Sequence, residues 1–588
     1  MLKASSQSLI DSGYLKARQL VSASQPDDRL SFARAMVFAA VSAYWREVDA
    51  GLRWNWNLPD PPTDVELPQL SMEAELLASS IGVAAAKLDQ MRAGYALGVL
   101  YTAMMPNTLR AKAGAYYTPP ALCERLLDMA AESGIEWRSA RVLDPACGGG
   151  AFLSPVARRM AACLKDCDAR EALQSIEQRL CGFEIDPFSA WMSQVLLEVT
   201  LSDLCHEAEK RLGQVVRLCD SLEQNPEGEG FDLVVGNPPY GRIGLPPRLR
   251  DKFRRSLFGH ANLYGVFTDQ ALRLAKQDGV IAYVTPTSFL AGEYFKALRG
   301  LLCREAPPKR IEFIEERKGV FNGVLQETLL ATYKRGDSSG AGKVSFISQR
   351  QNGGIARTSA GAFKLPKDPR QPWLMPRTPA QRGLVGQVGS LPYRLADYGY
   401  KVSTGPLVWN RHKPGLKDRP AKGRYPLVWA ESVRPDGEFS FRAEKRNHKP
   451  YFEPKDDERW VVTEFPCVLL QRTTAKEQNR RLIAAELPAD FIKKHGAVVI
   501  ENHLNMIKPL NGTPKVAPAT LTALLNSDVV DQVFRCINGS VAVSAYELSA
   551  LPLPPPDDLE ELDKLVSERA KRKKLERMVE RLYGNGSN

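Results

Sequence analysis

The feature that most limits how this chain can fold is a change of rhythm near residue 109. From there to about residue 335, short apolar runs alternate with amphipathic stretches. Buried strands of a parallel sheet are near-continuous apolar runs, and amphipathic stretches between them are typical of crossover helices. We therefore predict an α/β fold with a Rossmann-like, mostly parallel sheet of seven strands, at residues 141–143, 180–183, 215–218, 231–235, 279–284, 310–314 and 328–333.

Other regions flank this one. Residues 31–48 and 72–104 carry apolar side chains at helical spacing on either side of a Pro-rich loop, which predicts a helical N-terminal region. The segment 336–342 (GDSSGAG) has the composition of a flexible linker. We expect the last helix to dock onto its own chain. The predicted regions are 1–108 (helical), 109–342 (α/β), 343–556 (mixed α+β) and 557–588 (a C-terminal helix).

Composition restricts the partners and the cellular location. The 588 residues carry a formal net charge of +11, which suits an acidic partner such as nucleic acid. The ten cysteines form no C-x-x-C pair, so we expect no metal site. No apolar run reaches the roughly 18 residues of a membrane span, and the first residues lack the apolar core of a secretory signal. We therefore expect a cytoplasmic protein.

An acidic residue follows each of three successive predicted strands. Asp144 precedes a Gly-rich turn, Glu184 follows the second strand, and Asp220 follows the third. The carboxyl ends of parallel strands share the edge at which open α/β sheets bind ligands. Glycines let the backbone approach such a ligand closely, and a helix N-terminus favours an anionic group. At this edge Glu184 can accept hydrogen bonds from ribose hydroxyls, and Asp220 from an adenine amino group.

The tetrapeptide Asn237-Pro238-Pro239-Tyr240 follows the fourth predicted strand. An amide, two prolines and an aromatic ring at a strand end form a rigid shelf. Hydrogen-bond acceptors lie along one edge of the shelf, and a flat ring lies above it. The shelf therefore suits a planar heterocycle that carries an amino group.

The order of the motifs resembles that of the γ-class N6-adenine DNA methyltransferases of type II restriction–modification systems. Roughly residues 110 to 335 carry this resemblance. In chain order the motifs are YTPP (117–120), DPACGGG (144–150), FEIDP (183–187), CD (219–220), NPPY (237–240), NLYGVF (262–267), VTPTSF (284–289) and VFNGV (320–324). The resemblance implies a class I methyltransferase fold, S-adenosylmethionine as cofactor and double-stranded DNA as partner.

The same resemblance implies two sets of site residues. The cofactor-binding set is Thr118, Asp144, Ala146, Gly148, Gly150, Glu184, Asp220, Asn237 and Phe267. The catalytic set is Asn237, Pro238, Pro239, Tyr240 and Phe321. Within the first set, Asp144 would hold the methionine end, Glu184 the ribose and Asp220 the adenine amino group. Within the second, Asn237 and the Pro238 carbonyl would accept from the target amino group, with Tyr240 and Phe321 stacked on its two faces.

The implied function is site-specific methylation of adenine N6 in DNA, paired with a separate restriction endonuclease that this modification blocks. Two alternatives stay open. The first is an RNA or protein-glutamine N-methyltransferase with an appended binding domain, since the NH₂ of a glutamine amide needs the same hydrogen-bond acceptors as the NH₂ of adenine. The second is a non-catalytic DNA-binding module. The large basic C-terminal region favours DNA as the substrate, and no nuclease motif stands out.

In the γ class, the part that reads DNA sequence follows the catalytic domain, and residues 343–556 have a suitable size and composition. Arg, Gln and Asn make bidentate contacts to base edges, whereas Lys is better suited to phosphates. Candidate readers lie in residues 401–449, 471–474, 480–481 and 501–505. We expect most of these side chains singly to be surface residues, and His503 to be a hydrogen-bonded structural histidine.

Overall fold

The computed structural model describes residues 6–52, 56–106, 117–226, 228–315, 327–350, 354–473, 480–539 and 542–584. The chain divides into two compact units. The first comprises Met1–Thr287 and Ala297–Thr358, and the second comprises Ser288–Lys296 and Ser359–Asn588. The motifs that carry the resemblance fall almost wholly within the first unit.

The first unit begins with a layer of helices, as the sequence predicted. They are α1 (Ser6–Ala23), α2 (Arg29–Leu52), α3 (Met72–Ala85) and α4 (Gln90–Met104). The side chain of Ser71 caps α3 and that of Asp89 caps α4, each accepting from a first-turn backbone N–H. Their apolar faces pack with Phe188, Trp191 and Val195 in one buried cluster. The helical layer is therefore packed directly on a helix of the α/β region.

Eleven strands begin in the described part of the first unit, and the last of them ends in the second unit. They are β1 (Val142–Asp144), β2 (Leu180–Glu184), β3 (Val216–Leu218), β4 (Phe231–Gly236), β5 (Arg242–Ile243), β6 (Ala261–Asn262), β7 (Ala275–Pro286), β8 (Pro308–Ile314), β9 (Thr328–Lys334), β10 (Ala341–Gln349) and β11 (Ile355–Lys364). Strands β5 and β6 form a separate hairpin. The others form one sheet in the order β11-β10-β8-β9-β7-β4-β1-β2-β3.

Strand direction places the motif loops together. Strand β1 is parallel to β2 and β4, β2 is parallel to β3, and β4 is parallel to β7. Strand β9 is antiparallel to both its neighbours, β7 and β8. The carboxyl ends of β1, β2, β3 and β4 consequently meet at one edge of the sheet. Strand β4 is buried along most of its length, as its continuous apolar run requires.

The predicted count of seven strands is wrong, because the sheet in the described residues has nine. All seven predicted segments form strands of this sheet, as β1 to β4 and β7 to β9. Strand β10 adds an eighth by pairing in parallel with β8, and β11 adds the ninth. The predicted linker 336–342 therefore ends inside β10, where Val344, Phe346 and Ile347 bury enough apolar surface to hold a strand.

The remaining helices of this region flank the sheet. They are α5 (Pro120–Ala131), α6 (Leu153–Cys163), α7 (Ala169–Arg179), α8 (Pro187–Thr200), α9 (Ser202–Glu207), α10 (Pro247–Lys252), α11 (Leu263–Leu274) and α12 (Lys296–Glu305). Helix α8 begins with a proline at its first position and an Asp186 side-chain cap, a combination that favours helix initiation. Among the helices described, none is both long and apolar enough to cross a bilayer.

The second unit is a mixed α+β structure. Its strands are β12 (Tyr400–Thr404), β13 (Leu416–Lys417), β14 (Tyr425–Val428), β15 (Tyr451–Phe452), β16 (Val462–Thr463), β17 (Cys467–Gln471), β18 (Ala484–Leu487), β19 (Val498–Ile500) and β20 (Leu504–Pro509). They form two sheets, β12-β20-β17-β18 and β13-β15-β14-β19-β16. Strand β17 shows why both faces of the first sheet are covered. Cys467 and Leu469 enter the cluster shared with the second sheet, whereas Val468 and Leu470 enter the helical cluster on the other side.

The helices of the second unit are α13 (Arg382–Val388), α14 (Ala489–His495), α15 (Pro518–Leu525), α16 (Asp528–Ile537), α17 (Ala545–Ser549), α18 (Glu560–Ser567) and α19 (Arg572–Leu582). The single C-terminal helix predicted for residues 557–588 is therefore wrong. The chain breaks between α18 and α19, where Arg569 adopts a positive φ of 53°. Leu559, Leu562 and Leu565 are nevertheless buried in the core of this unit, so the segment docks onto its own chain as expected.

Candidate active site

A cavity of about 330 Å³ lies at the carboxyl edge of β1, β2, β3 and β4. It brings together most of the residues that the sequence nominated from motifs far apart in the chain. The nominated residues that line it are Thr118, Asp144, Ala146, Gly148, Glu184, Asp220, Asn237, Pro239 and Phe267. Gly150, Pro238 and Tyr240 are described but are not among its lining residues.

Asp144, at the end of β1, is a buried carboxyl group with few partners. It is 1% exposed, and its Oδ1 accepts a hydrogen bond from the Ala146 backbone N–H at 3.1 Å. Burial raises the pKa of Asp144 to about 8, and the nearby Glu184 carboxylate raises it further, while the Ala146 N–H opposes the shift. A ligand that brings a cation to this carboxylate would therefore stabilise its charged form.

Glu184, at the end of β2, is fixed by backbone donors. Its Oε1 accepts from the N–H groups of Ile185 and Asp186, both at 2.9 Å, and its Oε2 accepts from Gly148 N–H at 2.8 Å. Burial raises the pKa of Glu184, although these three donors work in the opposite direction. Because an ionised carboxylate has about four acceptor positions, the donors in the described part of the chain leave roughly one for a ligand.

Asp220 follows β3 and closes a tight turn. Its Oδ1 accepts from the backbone N–H of Leu222 at 2.9 Å, and its main-chain carbonyl accepts from Glu223 N–H at 3.1 Å. The rest of its carboxylate lies at the cavity wall. The neighbouring wall is apolar, formed by Leu222, Leu263 and Phe267, which share one small cluster.

The Gly-rich turn after β1 depends on backbone conformations that glycine adopts freely. Gly148 has φ 53° and Gly150 has φ 84°. A Cβ at Gly148 would meet no atom within 4 Å, so the backbone there is open to a ligand. The ring of Tyr117 occupies the opposite side of the turn. A Cβ at Gly149 would come within 1.2 Å of its hydroxyl, and a Cβ at Gly98 of α4 within 1.8 Å of its ring.

The shelf after β4 is held by side chains from other motifs. Asn237 Nδ2 donates to Thr118 Oγ1 at 3.1 Å, and Tyr240 donates its hydroxyl proton to Asn237 Oδ1 at 2.5 Å. The Tyr240 hydroxyl also lies 3.3 Å from the Val284 carbonyl, and its ring packs edge-on against Tyr264. These bonds direct the oxygen of the Asn237 amide toward Tyr240. Burial raises the pKa of Tyr240, so its hydroxyl stays protonated.

Phe321, the other predicted member of the aromatic clamp, lies outside the described residues, as does the rest of its motif. The clamp therefore stays a prediction.

Sequence reasoning missed several residues of the cavity. Tyr101, Thr102 and Met105, in and just after α4, line it from the helical layer. Ile185 also lines it and exposes 68% of its surface, an unusual value for a large apolar side chain. The apolar spacing of α4 predicted a helix but carried no information about which element the helix would contact. The position of Ile185, between Glu184 and Asp186, was the signal that could have nominated it.

Several of the candidate DNA-reading side chains of the second unit serve its own structure. Four of them donate to backbone carbonyls of that unit: Gln471, Arg472, Arg480 and Asn505. His503 Nδ1 lies 2.8 Å from the buried Glu501 carboxylate, which confirms the prediction of a structural histidine. Trp429 is buried and stacks on His448 with ring centroids 3.7 Å apart. These residues are therefore poor candidates for base contacts.

The donor set of the cavity fits S-adenosylmethionine, the cofactor that the resemblance implies. Asp144 is a buried carboxyl group suited to a cationic ammonium group. Glu184 and Asp220 offer acceptors to hydroxyl and amino groups, and the backbone is open at Gly148. Apolar side chains on either side of these acceptors suit the faces of a purine. The residues present therefore match the polar and apolar parts of this molecule.

Known proteins that are similar to this chain belong to the class of enzyme that the motifs resemble. The Eco57I restriction-modification methylase family matches residues 180–321. Type II methyltransferase M.BsuBI of Bacillus subtilis is 26% identical over 468 residues, which cover 78% of this chain and 91% of that protein. Type II methyltransferase M.PstI of Providencia stuartii is 27% identical over 343 residues, 56% of this chain and 66% of its own length.

Among solved structures, the Type IIL restriction-modification enzyme MmeI in complex with DNA is similar in fold. The match has a TM-score of 0.50 at 14% identity and covers 99% of this chain and 96% of that one. Taken together, the family match and the curated relatives confirm that the chain resembles the DNA methyltransferases of type II restriction–modification systems.

Proposed function

We propose that this protein is a site-specific DNA methyltransferase that methylates the N6 amino group of adenine in duplex DNA. Its role is to protect DNA from a separate restriction endonuclease. One observation carries the proposal: the Asn237 amide of the shelf lines the same cavity as the three acidic residues that follow β1, β2 and β3. An acceptor for a target amino group thus lies beside a site suited to a nucleoside-bearing methyl donor.

S-adenosylmethionine is the cofactor, and it supplies a methyl group attached to a sulfonium, which is an excellent leaving group. Asp144, with Thr118, Ala146 and the Gly148–Gly150 turn, binds the methionine end. Glu184 binds the ribose through the acceptor position that its backbone donors leave free. Asp220 accepts from the adenine amino group, and Phe267 packs beside it. Ile185 adds an exposed apolar surface to the same wall.

The acceptors of the shelf make the target nitrogen, which is a poor nucleophile in free adenine, more nucleophilic. The lone pair of an exocyclic amino group is delocalised into the adenine ring. The Asn237 side-chain oxygen and the Pro238 carbonyl accept hydrogen bonds from its two N–H groups, which favours a pyramidal nitrogen with a localised lone pair. The Asn237 oxygen accepts a bond from Tyr240, and an amide oxygen offers two acceptor positions. Orientation is the main contribution, since a misplacement of about 1 Å costs roughly 10²-fold in rate.

The target base has to leave the duplex, because a paired amino group inside the helix cannot reach this cavity. Flipping costs a few kcal/mol of stacking and pairing. Tyr240 and Phe321, stacked on the two faces of the base, offset part of that cost, at about 1–3 kcal/mol per stacked face. We assign recognition of the DNA sequence to residues 343–556, of which residues 359–556 belong to the second compact unit.

The test is methyl transfer with labelled S-adenosylmethionine and several acceptors in parallel. Purified protein is incubated with genomic DNA, total RNA and a protein extract, and the products are hydrolysed and separated by mass spectrometry. We expect label in N6-methyladenine from duplex DNA, at one sequence motif, and none with the Asn237→Ala variant. Label in RNA or in glutamine, or no transfer to any adenine, would contradict the proposal.

A further inference from the structure

An arginine of the helical layer is bonded to the loop that carries Glu184. Arg34, on α2, places its Nη2 2.5 Å from Asp186 Oδ1, and both side chains are largely shielded, at 16% and 23% exposure. Arg34 Nε also donates to the Tyr101 hydroxyl at 3.3 Å, and that hydroxyl donates to Asp186 Oδ2 at 3.2 Å. Arg34, Tyr101 and Asp186, which we call the corner triad, thus link α2, α4 and the β2–α8 loop.

The corner triad holds the loop at Asp186, whose backbone contacts the Glu184 carboxylate of the cavity. The backbone N–H of Asp186 donates to Glu184 Oε1, so the position of that carboxylate depends on where residue 186 is held. Asp186 also caps α8 through Ser189, whose backbone N–H and hydroxyl lie 2.9 and 2.8 Å from Oδ2. One carboxylate therefore joins the helical layer, the start of α8 and the Glu184 loop.

The charges of the corner triad also affect the pKa of Glu184. The negative charge of Asp186 raises the pKa of Glu184, and the Arg34 guanidinium beside Asp186 offsets that charge. Without Arg34, two carboxylates would lie close together with less compensation. The less compensated charge of Asp186 would then raise the pKa of Glu184 further, in the same direction as burial does.

The helical layer is also part of the cavity wall. Tyr101, Thr102 and Met105 line the cavity, and the Tyr101 ring packs against Phe188 of α8 with centroids 5.1 Å apart. The apolar contacts of α2 are made by other residues, including Met36, Val37 and Tyr44, which are buried in the helical core. Apolar contacts of other residues therefore hold α2 in place beside the Arg34 ion pair.

We propose that Arg34 is a positioning residue for the cofactor, acting through Asp186 and Tyr101 to hold the Glu184 carboxylate in its binding orientation. This inference rests on the proposed function, because it takes the cavity to be the S-adenosylmethionine site. The helical N-terminal layer is then an integral part of cofactor binding, a role beyond packing.

The experiment measures the Kd for S-adenosylmethionine by equilibrium dialysis, in the full chain and without DNA. We expect Arg34→Ala and Asp186→Asn each to raise Kd about tenfold, and the double variant to raise it no further, because both remove the same interaction. Asn is as good a helix cap as Asp, so Asp186→Asn keeps α8 intact. Arg34→Lys should recover part of the affinity, since a lysine cannot serve both partners at once.

Arg46→Ala is the matched control. Arg46 lies on the same helix but is exposed, and within the described part of the chain its side chain donates to the carbonyl of Ser42, one turn earlier. We expect its Kd to equal that of the wild type. Steady-state kinetics on DNA provide a second measurement: Arg34→Ala should raise KM for S-adenosylmethionine and leave kcat and KM for DNA within about twofold.

The outcomes separate the two proposals. If the wild-type chain binds no S-adenosylmethionine, the proposed function is contradicted. If the wild type binds it and both single variants bind equally well, the positioning role is overturned and the proposed function stands. Additive effects in the double variant would also overturn it. A fall in melting temperature with an unchanged Kd would assign Arg34 to stability alone.

Discussion

The proposed cofactor end and the proposed target shelf of this site are held in different ways. The strand-end acids are fixed largely by nearby backbone: Asp144 by Ala146, Asp220 by Leu222, and Glu184 mainly by the next two residues. The shelf is held across the fold, since Asn237 bonds Thr118 and Tyr240 bonds the Val284 carbonyl. Nearby turns therefore supply most of the direct bonds to the acids, although Gly148 and the Arg34–Asp186 pair also act on Glu184, whereas the shelf depends mainly on distant segments.

The largest expected effect is on the shelf. Asn237→Ala removes one of the two acceptors for the target amino group, and we expect kcat to fall by about 10²–10³-fold, the range seen when one preorganised polar partner is deleted. The cofactor end is held by its own backbone bonds, so Kd for S-adenosylmethionine should change no more than about threefold. Single-turnover methylation and equilibrium dialysis measure the two quantities. A large rise in the Kd for S-adenosylmethionine with little loss of kcat would show that Asn237 acts on the cofactor and not on the target amino group.

Affinity for S-adenosylmethionine should depend on pH through Asp144. The pKa of Asp144 is raised to about 8, so its carboxyl group is protonated at neutral pH in the free protein. Pairing with the ammonium group of the cofactor requires the carboxylate, and binding therefore releases a proton. Affinity should rise between pH 6 and pH 7.5, by up to about tenfold per pH unit.

The raised pKa of Asp144 should also make the stability of the fold depend on pH. A raised pKa in the folded state means that this group favours folding at low pH and that its contribution is lost as the pH rises to about 8. Asp144→Asn should abolish both the pH slope of cofactor binding and this part of the pH dependence of unfolding. Calorimetry in buffers of different ionisation enthalpy counts the released proton. An unchanged slope in Asp144→Asn would assign the titration to another group.

The contrast between the two ends also explains what the sequence could predict. The acids and the Gly-rich turn were identified because each lies directly after a strand, and parallel strands end at one edge. The Thr118–Asn237 bond joins residues 119 positions apart, and no spacing in the chain indicates it. The same holds for Arg34 and Tyr101, whose helical periodicity showed that they lie on helices but not what those helices contact. Strands β10 and β11 were missed because their apolar runs are short and interrupted by polar residues.

Thr118→Val tests the bond that ties the shelf to the rest of the fold. Valine keeps the shape of threonine but removes the oxygen that accepts from Asn237. Loss of one hydrogen bond of about 0.5–1.5 kcal/mol predicts a fall in kcat of up to about tenfold. Thr118→Ser retains the hydroxyl and should remain close to wild type. An effect on the Kd for S-adenosylmethionine is expected from the place of Thr118 at the methionine end, but an unchanged kcat would show that its hydroxyl does not orient the shelf.

The smallest effect is expected for Tyr240→Phe, which separates the hydroxyl of this residue from its ring. Asn237 keeps its bond to Thr118 when the Tyr240 hydroxyl is lost, so kcat should fall only about threefold. Tyr240→Ala also removes the stacking surface, worth about 1–3 kcal/mol, and should cost about 10–100-fold. Fluorescence of 2-aminopurine at the target position reports base flipping, and it should be preserved in the Phe variant and weakened in the Ala variant. Equal losses in the two variants would place the role in the hydroxyl, and the shelf would then act through its hydrogen bonds alone.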